Sequence, residues 1–442
     1  METFDDYVDR RLIAPIETTS RRFYIFAGIL LAIGLWGAFA WWTQLRRGLS
    51  VTGLNAPVFW GLYITNFVFF IGISHAGTLI SAILRLAHAE WRRSITRAAE
   101  VITVLVLFFG MACVVLDLGR PDRVLNVIRS GNFTSPLLWD VTSVATYLTA
   151  STIYLYLPLI PDIAILRDRI RSRGWLYRPL SLGWTGTPKQ RRILERAIAI
   201  MAVIVIPIAV SVHTVVSWVF AMTVQPMWHS TIFGPYFVVG AIFSGIAAII
   251  IAMAIIRKAY HLEEYLKPIH FTNLGLLLLV MCLLWFYFTF AEFLTTYYGG
   301  EPMHMVVFLS KTEGKFSPLF WTMVVTCFVV PFALLANRRT RTKVWGTVVA
   351  SIFVEIGMWL ERFLIVVPSL SNPRLPLTAP SYVPSWVEWS LFAAFISMFI
   401  LLYALFTKFF PIVSIWEIQE GREHSVDEVT TRVLSYLPEG ES

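Results

Sequence analysis

The sequence predicts an all-α integral membrane protein of about ten transmembrane helices, and three observations predict it. Hydrophobic residues fill 57% of the 442 positions and charged residues 14%, whereas a soluble domain carries roughly 25% charged residues. Mean hydropathy is +0.67, so the bilayer is the main solvent. The apolar residues fall in stretches of about 20, the length that crosses a hydrocarbon core, and Lys and Arg collect in alternate connections between them.

Residues 1–22 mix Asp5, Asp6 and Asp9 with Arg10 and Arg11 and have no apolar h-region, which predicts a cytoplasmic tail and not a cleavable signal. Ten spans follow, at roughly 23–43, 58–86, 97–118, 137–160, 194–220, 231–256, 270–297, 317–337, 344–368 and 387–410. They divide the chain into a first flanking helix and loop (23–57), a first four-helix bundle of spans two to five (58–220), a second of spans six to nine (221–368), and a last helix with a cytoplasmic tail (369–442). An even count puts both termini on one side. Counting span ends with their adjoining loops, that side holds 27 Lys plus Arg, the opposite side 8, and Arg362 lies within span nine. The bias makes both termini cytoplasmic. It also accounts for the net charge of +8 without a nucleic-acid partner.

The loop 161–193, with Arg167, Arg169, Arg171, Arg173, Arg178, Lys189, Arg191 and Arg192, suits anionic lipid headgroups and serves equally as an orientation signal. On the other side, 119–136, 298–316 and the proline-rich 369–386 are long enough to dock a partner and too short to fold alone. Cys113, Cys282 and Cys327 stand singly in apolar runs, so no iron–sulfur or zinc site is expected from this chain. Trp41, Trp42, Trp60, Trp139, Trp218, Trp228, Trp321, Trp386 and Trp389 fall near span ends, as an aromatic belt does.

Ionisable groups inside a span cost a few kcal/mol each and need a partner, a wet cavity or a function. They are His75, Asp117, Asp140, His213, Glu292, Glu355, Glu361 and Arg362. Asp117 and Asp140 flank one loop, where a carboxylate pair would accept quinol protons. Equally, Asp140 caps span four and Asp117 pairs with Arg120 or Arg123. Ser143 and Tyr147 share the Asp140 face. His75, in Gly72-Ile-Ser-His-Ala-Gly-Thr78, is either a packing residue or a hydrogen-bonding ligand. Glu355 and Arg362, seven residues apart, lie on one face about 10 Å apart along the axis, within reach of a water chain. Glu361 and Arg362 also fit an ion pair at the membrane interface.

A b-type cytochrome needs two axial ligands at one depth on facing helices. Counted from the predicted span ends, His75 lies about 25 Å and His213 about 10 Å from the extracytoplasmic side, which argues against a shared haem. A secondary transporter, favoured by broken helices near the midplane, has only the isolated Pro207 and Pro331 to support it.

The block Pro57-Val-Phe-Trp-Gly-Leu-Tyr-Ile-Thr-Asn-Phe-Val-Phe-Phe-Ile-Gly-Ile-Ser-His-Ala-Gly-Thr-Leu-Ile-Ser-Ala-Ile-Leu-Arg85 resembles the NrfD-like (polysulfide reductase membrane subunit) family. So do Leu118-Gly-Arg-Pro121, Ser135-Pro-Leu-Leu-Trp-Asp140, Ser211-Val-His-Thr214, Trp228-His-Ser-Thr-Ile-Phe-Gly-Pro-Tyr236 and Gly357-Met-Trp-Leu-Glu-Arg-Phe363. Within the family the chain is most similar to ActC, the quinol-binding membrane subunit of bacterial alternative complex III. That resemblance implies two four-helix bundles in the bacterial cytoplasmic membrane and a menaquinol pocket near the extracytoplasmic face of the first. It also implies an iron–sulfur partner there, c-type cytochrome subunits beyond it, and a second NrfD-like membrane subunit. Asp140 matches the pocket carboxylate, and His75 and Tyr147 join it as quinol candidates. Asp117 stands where such relatives commonly have a histidine. A proton path through intramembrane groups would use Glu292, Glu355, Glu361, Arg362 and His213.

Overall fold

The computed structural model describes residues 13–86, 95–263, 266–374 and 381–417. Most of the two expected tails, and part of the 369–386 loop, lie outside the described residues. Ten long helices carry the fold: α1 Arg21–Arg47, α2 Leu62–Leu86, α3 Thr96–Asp117, α4 Pro136–Arg169, α5 Pro188–Ala221, α6 Phe233–Ala259, α7 Pro268–Gly299, α8 Ser317–Ala336, α9 Val344–Ser371 and α10 Trp386–Phe409. Among the described residues, nine are long and apolar enough to cross a membrane. The tenth, α9, is of similar length but carries Glu355, Glu361 and Arg362 and buries much of its surface.

Helix ends follow local chemistry. Proline opens α4, α5 and α7, where its missing N–H is no loss. Thr187 with Gln190, and Ser385 with Glu388, form capping boxes at α5 and α10. α8 widens into a π turn at Val325–Val329, just before Pro331, which removes one N–H from the ladder.

In the packing, α2, α3, α4 and α5 contact one another, as do α6, α7, α8 and α9; α2 also lies against α6 and α9, and α1 pairs with α10. The first and last described segments of the chain meet on one face, where Lys408 Nζ donates to Thr18 O at 3.2 Å. There the segment after α10 folds back: Asp162 accepts from Arg97 at 2.6 Å and from the backbone N–H groups of Ile415 and Trp416. On the opposite face Glu388, wholly buried, accepts from Gly53 N (2.7 Å), Ser385 N (2.8 Å) and Tyr382 Oη (2.5 Å), and Tyr382 Oη accepts from Leu62 N. These bonds tie the loop before α2 to the start of α10.

Trp228 is not part of a belt. It is buried, donates Nε1–H to Ile365 O at 2.8 Å, and stacks on Trp60. The turn after α5 folds inward, so the indole caps the bundle end.

Candidate functional site

The strongest grouping lies where the bundles meet. His75 of α2 and His213 of α5 are buried with ring centroids 3.7 Å apart, and Tyr147 of α4 stands edge-on to His75 at 5.5 Å. This corrects the depth count that held the histidines apart. The helices do not end on a common plane, since α2 begins at Leu62 and α5 is capped by the inturned Trp228. With the rings in contact, no gap between them admits a porphyrin.

His75 Nε2 lies 2.6 Å from Ala209 O. A carbonyl only accepts, so Nε2 carries the hydrogen and Nδ1 is left as an acceptor. That Nδ1 and both His213 nitrogens have no hydrogen-bond partner among the described residues. Tyr147 donates to Ser74 O at 3.1 Å, and Thr103 Oγ1 donates to the same carbonyl at 2.7 Å.

Asp140 sits seven residues before Tyr147 on α4, two turns nearer the face opposite the chain ends. It is buried, and its Oδ1 has no hydrogen-bond partner among the described residues. It is not a cap: α4 begins at Pro136, with Ser135 in the N-cap position. Ser143 spends its hydroxyl on the Asp140 carbonyl and not on the carboxylate.

Asp117 is elsewhere. Its Oδ1 is also buried without a partner among the described residues, but Arg120 pairs with Asp122, and the acid that acts on Asp117 is Glu388. Tyr63 lies beside them, donating to Gln44 Oε1 at 2.6 Å, while Gln44 caps Leu116 O. No hydrogen bond among the described residues joins Asp117 to Asp140.

Arg362 and Glu361 of α9 form an ion pair, wholly buried and not interfacial. The guanidinium occupies space left by two glycines: a Cβ on Gly240 would meet Arg362 Nη2 at 2.8 Å, and one on Gly72 would lie 3.7 Å from it. Arg362 is thereby close enough to act electrostatically on His213, and Trp285 donates to Glu361 Oε1 at 3.0 Å. Glu355, seven residues before Arg362 on α9, has its carboxylate buried and is close enough for Arg362 to act on it electrostatically. It lines an apolar cleft of 640 Å³ with residues of α1, α2, α3, α6 and α10. Glu292 lines two smaller cavities on the opposite side of the second bundle.

Several buried polar groups escape the sequence reading. Tyr154 follows Asp140 and Tyr147 at the same seven-residue spacing on one face of α4, and Ser81 bridges Tyr154 (3.3 Å) to Glu100 (2.8 Å). Glu100 and Arg97 sit at the very start of the third span and would have met the test of an ionisable group within a span. Lys311, in the short helix Pro302–Thr312, is buried although its position reads as a loop. Among the described residues no group of three or more His, Cys, Asp or Glu stands together as a metal site.

Helices of membrane-spanning length around a buried histidine pair and ion pair define a multi-pass integral membrane protein with polar chemistry in its interior. Residues 50–373 match the pattern of the family "Polysulphide reductase, NrfD", nearly three quarters of the chain, and the protein belongs to that family. Relatives include a putative dimethyl sulfoxide reductase membrane subunit of Halobacterium salinarum, 27% identical over 82% of this chain and 80% of that one. An Hdr-like menaquinol oxidoreductase integral membrane subunit of Archaeoglobus fulgidus is 23% identical over 94% and 98%. The integral membrane subunit of a menaquinone reductase of Nitratidesulfovibrio vulgaris is 22% identical over 88% and 92%.

Proposed function

We propose that this chain is the membrane subunit of a quinol-linked oxidoreductase that binds and oxidises menaquinol in the first bundle and hands the electrons to an iron–sulfur partner. The names of the Archaeoglobus and Nitratidesulfovibrio relatives support the class of complex and of quinone. The observation that carries the site is Asp140: a buried carboxylate with an unpartnered oxygen, on the α4 face that leads to Tyr147 and the histidine pair.

A quinol releases two protons with its two electrons, and its hydroxyls need acceptors. Asp140 Oδ1 is such an acceptor near the membrane edge, and His75 Nδ1 with the His213 nitrogens are further ones at depth. The positive-inside bias makes the Asp140 face extracytoplasmic. On it Phe133 is 86% and Tyr298 91% exposed, which suits a partner covering the 119–136 and 298–316 connections. The finer assignment is an alternative complex III arrangement in the bacterial cytoplasmic membrane, with c-type cytochrome subunits and a second NrfD-like subunit. Protons would move by way of His213, Arg362, Glu361 and Glu292. Glu355, which Arg362 also reaches electrostatically, lines the apolar cleft on the other side of α9, and Asp117 stands with Glu388 outside the group.

Menaquinol oxidation by membranes holding an assembled Asp140→Asn complex tests the assignment. Asparagine keeps the shape and removes the base, so the rate should fall about a hundredfold or more. Near-normal oxidation would return Asp140 to a structural role.

A further inference from the structure

The apolar cleft of 640 Å³ lies between α6 and the α1–α10 pair, with α2 and α3 beneath it. Its wall is built almost wholly of Phe, Ile, Val and Ala, with Glu355 at one end and Tyr260 and Thr407 at the other. Along α10 it runs from Ile396 to Thr407, about 16 Å at 1.5 Å per residue. That is the depth of one leaflet of a hydrocarbon core about 30 Å thick. The gap exists because α6 packs mainly on α2, α5, α7 and α9, whereas α10 packs mainly on α1 and α3. Tyr260 Oη and Thr407 Oγ1 bridge it at one point, hydrogen-bonded at 2.5 Å. Phe26, Ile255 and Ile400 line the cleft and are exposed, so it is open sideways to the bilayer.

We propose that the cleft holds one acyl chain of an anionic phospholipid of the cytoplasmic leaflet, with the phosphate seated among the cations at the Tyr260–Thr407 end. That end lies on the face where the first and last described segments of the chain meet, which the excess of Lys and Arg makes cytoplasmic. Lys408 Nζ stands 5.1 Å over the ring of Phe23, itself part of the cleft wall. Arg173, from the connection between α4 and α5, donates to Lys408 O at 2.7 Å and is near enough to repel the Lys408 charge. Arg22 precedes Phe23, and Arg257 and Lys258 precede Ala259, another wall residue. An anion between like charges offsets their repulsion, and juxtamembrane Lys and Arg attract the anionic lipids of the cytoplasmic leaflet. A quinone fits less well, because its neutral ring gains nothing from the cations and meets only Glu355 at the deep end. The cleft therefore selects lipid by charge at its mouth and takes an apolar chain below. Arg173 brings the arginine-rich connection, which suits lipid headgroups by composition, to one defined place.

The test uses the full complex in phosphatidylcholine vesicles that carry a trace of phosphatidylglycerol with a photoreactive diazirine at the end of one acyl chain. A phosphatidylcholine with the same chain is the control, and labelled peptides are located by mass spectrometry. The phosphatidylglycerol probe should label 248–256 of α6 and the α9 peptide around Glu355 about fivefold or more over the control, since one nearby cation favours an anionic lipid by about that factor. Unlabelled phosphatidylglycerol should compete with it. Lys408→Gln should lower the preference by about the same factor. Ala252→Phe fills the cleft from α6 and Ala404→Phe fills it from α10. Whichever variant assembles should lose the cleft label and keep the background label at Ile200 and Val203, which are exposed on α5. Equal labelling by the two headgroups, or labelling no richer in the cleft than at Ile200 and Val203, would overturn the site. Displacement by menaquinone and not by phosphatidylglycerol would overturn the lipid and give the cleft to a quinone.

Discussion

The two bundles treat their buried polar groups differently. In the first, Tyr147, Ser74 and Thr103, and one turn of contacts lower Tyr154, Ser81 and Glu100, bond directly to one another through side chains and helix carbonyls. In the second, Glu361, Lys311, Glu292 and Thr289 surround open volume. A bonded network holds its groups in one geometry; a cavity with polar walls leaves room for water to bridge groups that do not touch. The bundles touch at Arg362, which fills the gap left by Gly72 and Gly240 and acts on His213. One residue thus belongs to both regimes.

The largest expected effect falls at that junction. Arg362→Leu leaves Glu361 buried and uncompensated, and breaking a buried ion pair from one side costs about 3–5 kcal/mol. The yield of folded complex should collapse. Adding Glu361→Gln, which still accepts from Trp285, should restore most of it. A double variant as poorly folded as the single one would mean that Arg362 holds the bundles together by shape and not by charge.

The next effect is smaller and has a sign. Folded Lys311 titrates near 8, and unfolded lysine near the ordinary 10.5. Between these values the folded chain binds fewer protons, so stability rises with pH across that window, and the penalty of burying the charge is in full force below about 8. The whole window is worth on the order of 3 kcal/mol. The apparent unfolding temperature of the detergent-solubilised complex should therefore rise from pH 8 to 10, and Lys311→Met should flatten that rise. An unchanged slope in the variant would remove Lys311 from the cavity's electrostatics.

These contrasts were only partly legible in the sequence. Long apolar stretches fixed the number and order of helices, because bilayer thickness leaves few alternatives, and even α9 was found despite its three charges. Depth was not legible. His75 and His213 were placed apart by counting residues from span ends, and the inturned Trp228 and the late start of α2 defeat that count. Pairing across loops failed for a related reason: Asp117 and Asp140 border one connection, but helix rotation turns Asp117 to Glu388. Tyr154 was recoverable from its seven-residue spacing after Asp140 and Tyr147. Lys311 was not, since nothing local marks a short connecting helix as buried.

The smallest effect separates the edge of the first bundle from its centre. Tyr147→Phe removes a hydroxyl that donates to Ser74 O, while Thr103 continues to donate to that carbonyl. Ser74 O keeps a donor, so the stability loss from that bond should stay near the 0.5–1.5 kcal/mol of an ordinary hydrogen bond. For turnover the reasoning turns on which group is free. The Tyr147 hydroxyl is already committed to the protein, whereas one Asp140 oxygen is not. If quinol chemistry runs at the membrane edge, Tyr147→Phe should slow menaquinol oxidation less than tenfold, well short of Asp140→Asn. If Tyr147→Phe proves as damaging as Asp140→Asn while the complex assembles normally, the reacting ring reaches two turns deeper, to His75 and His213. Asp140 would then be the first stop for a proton leaving that pair.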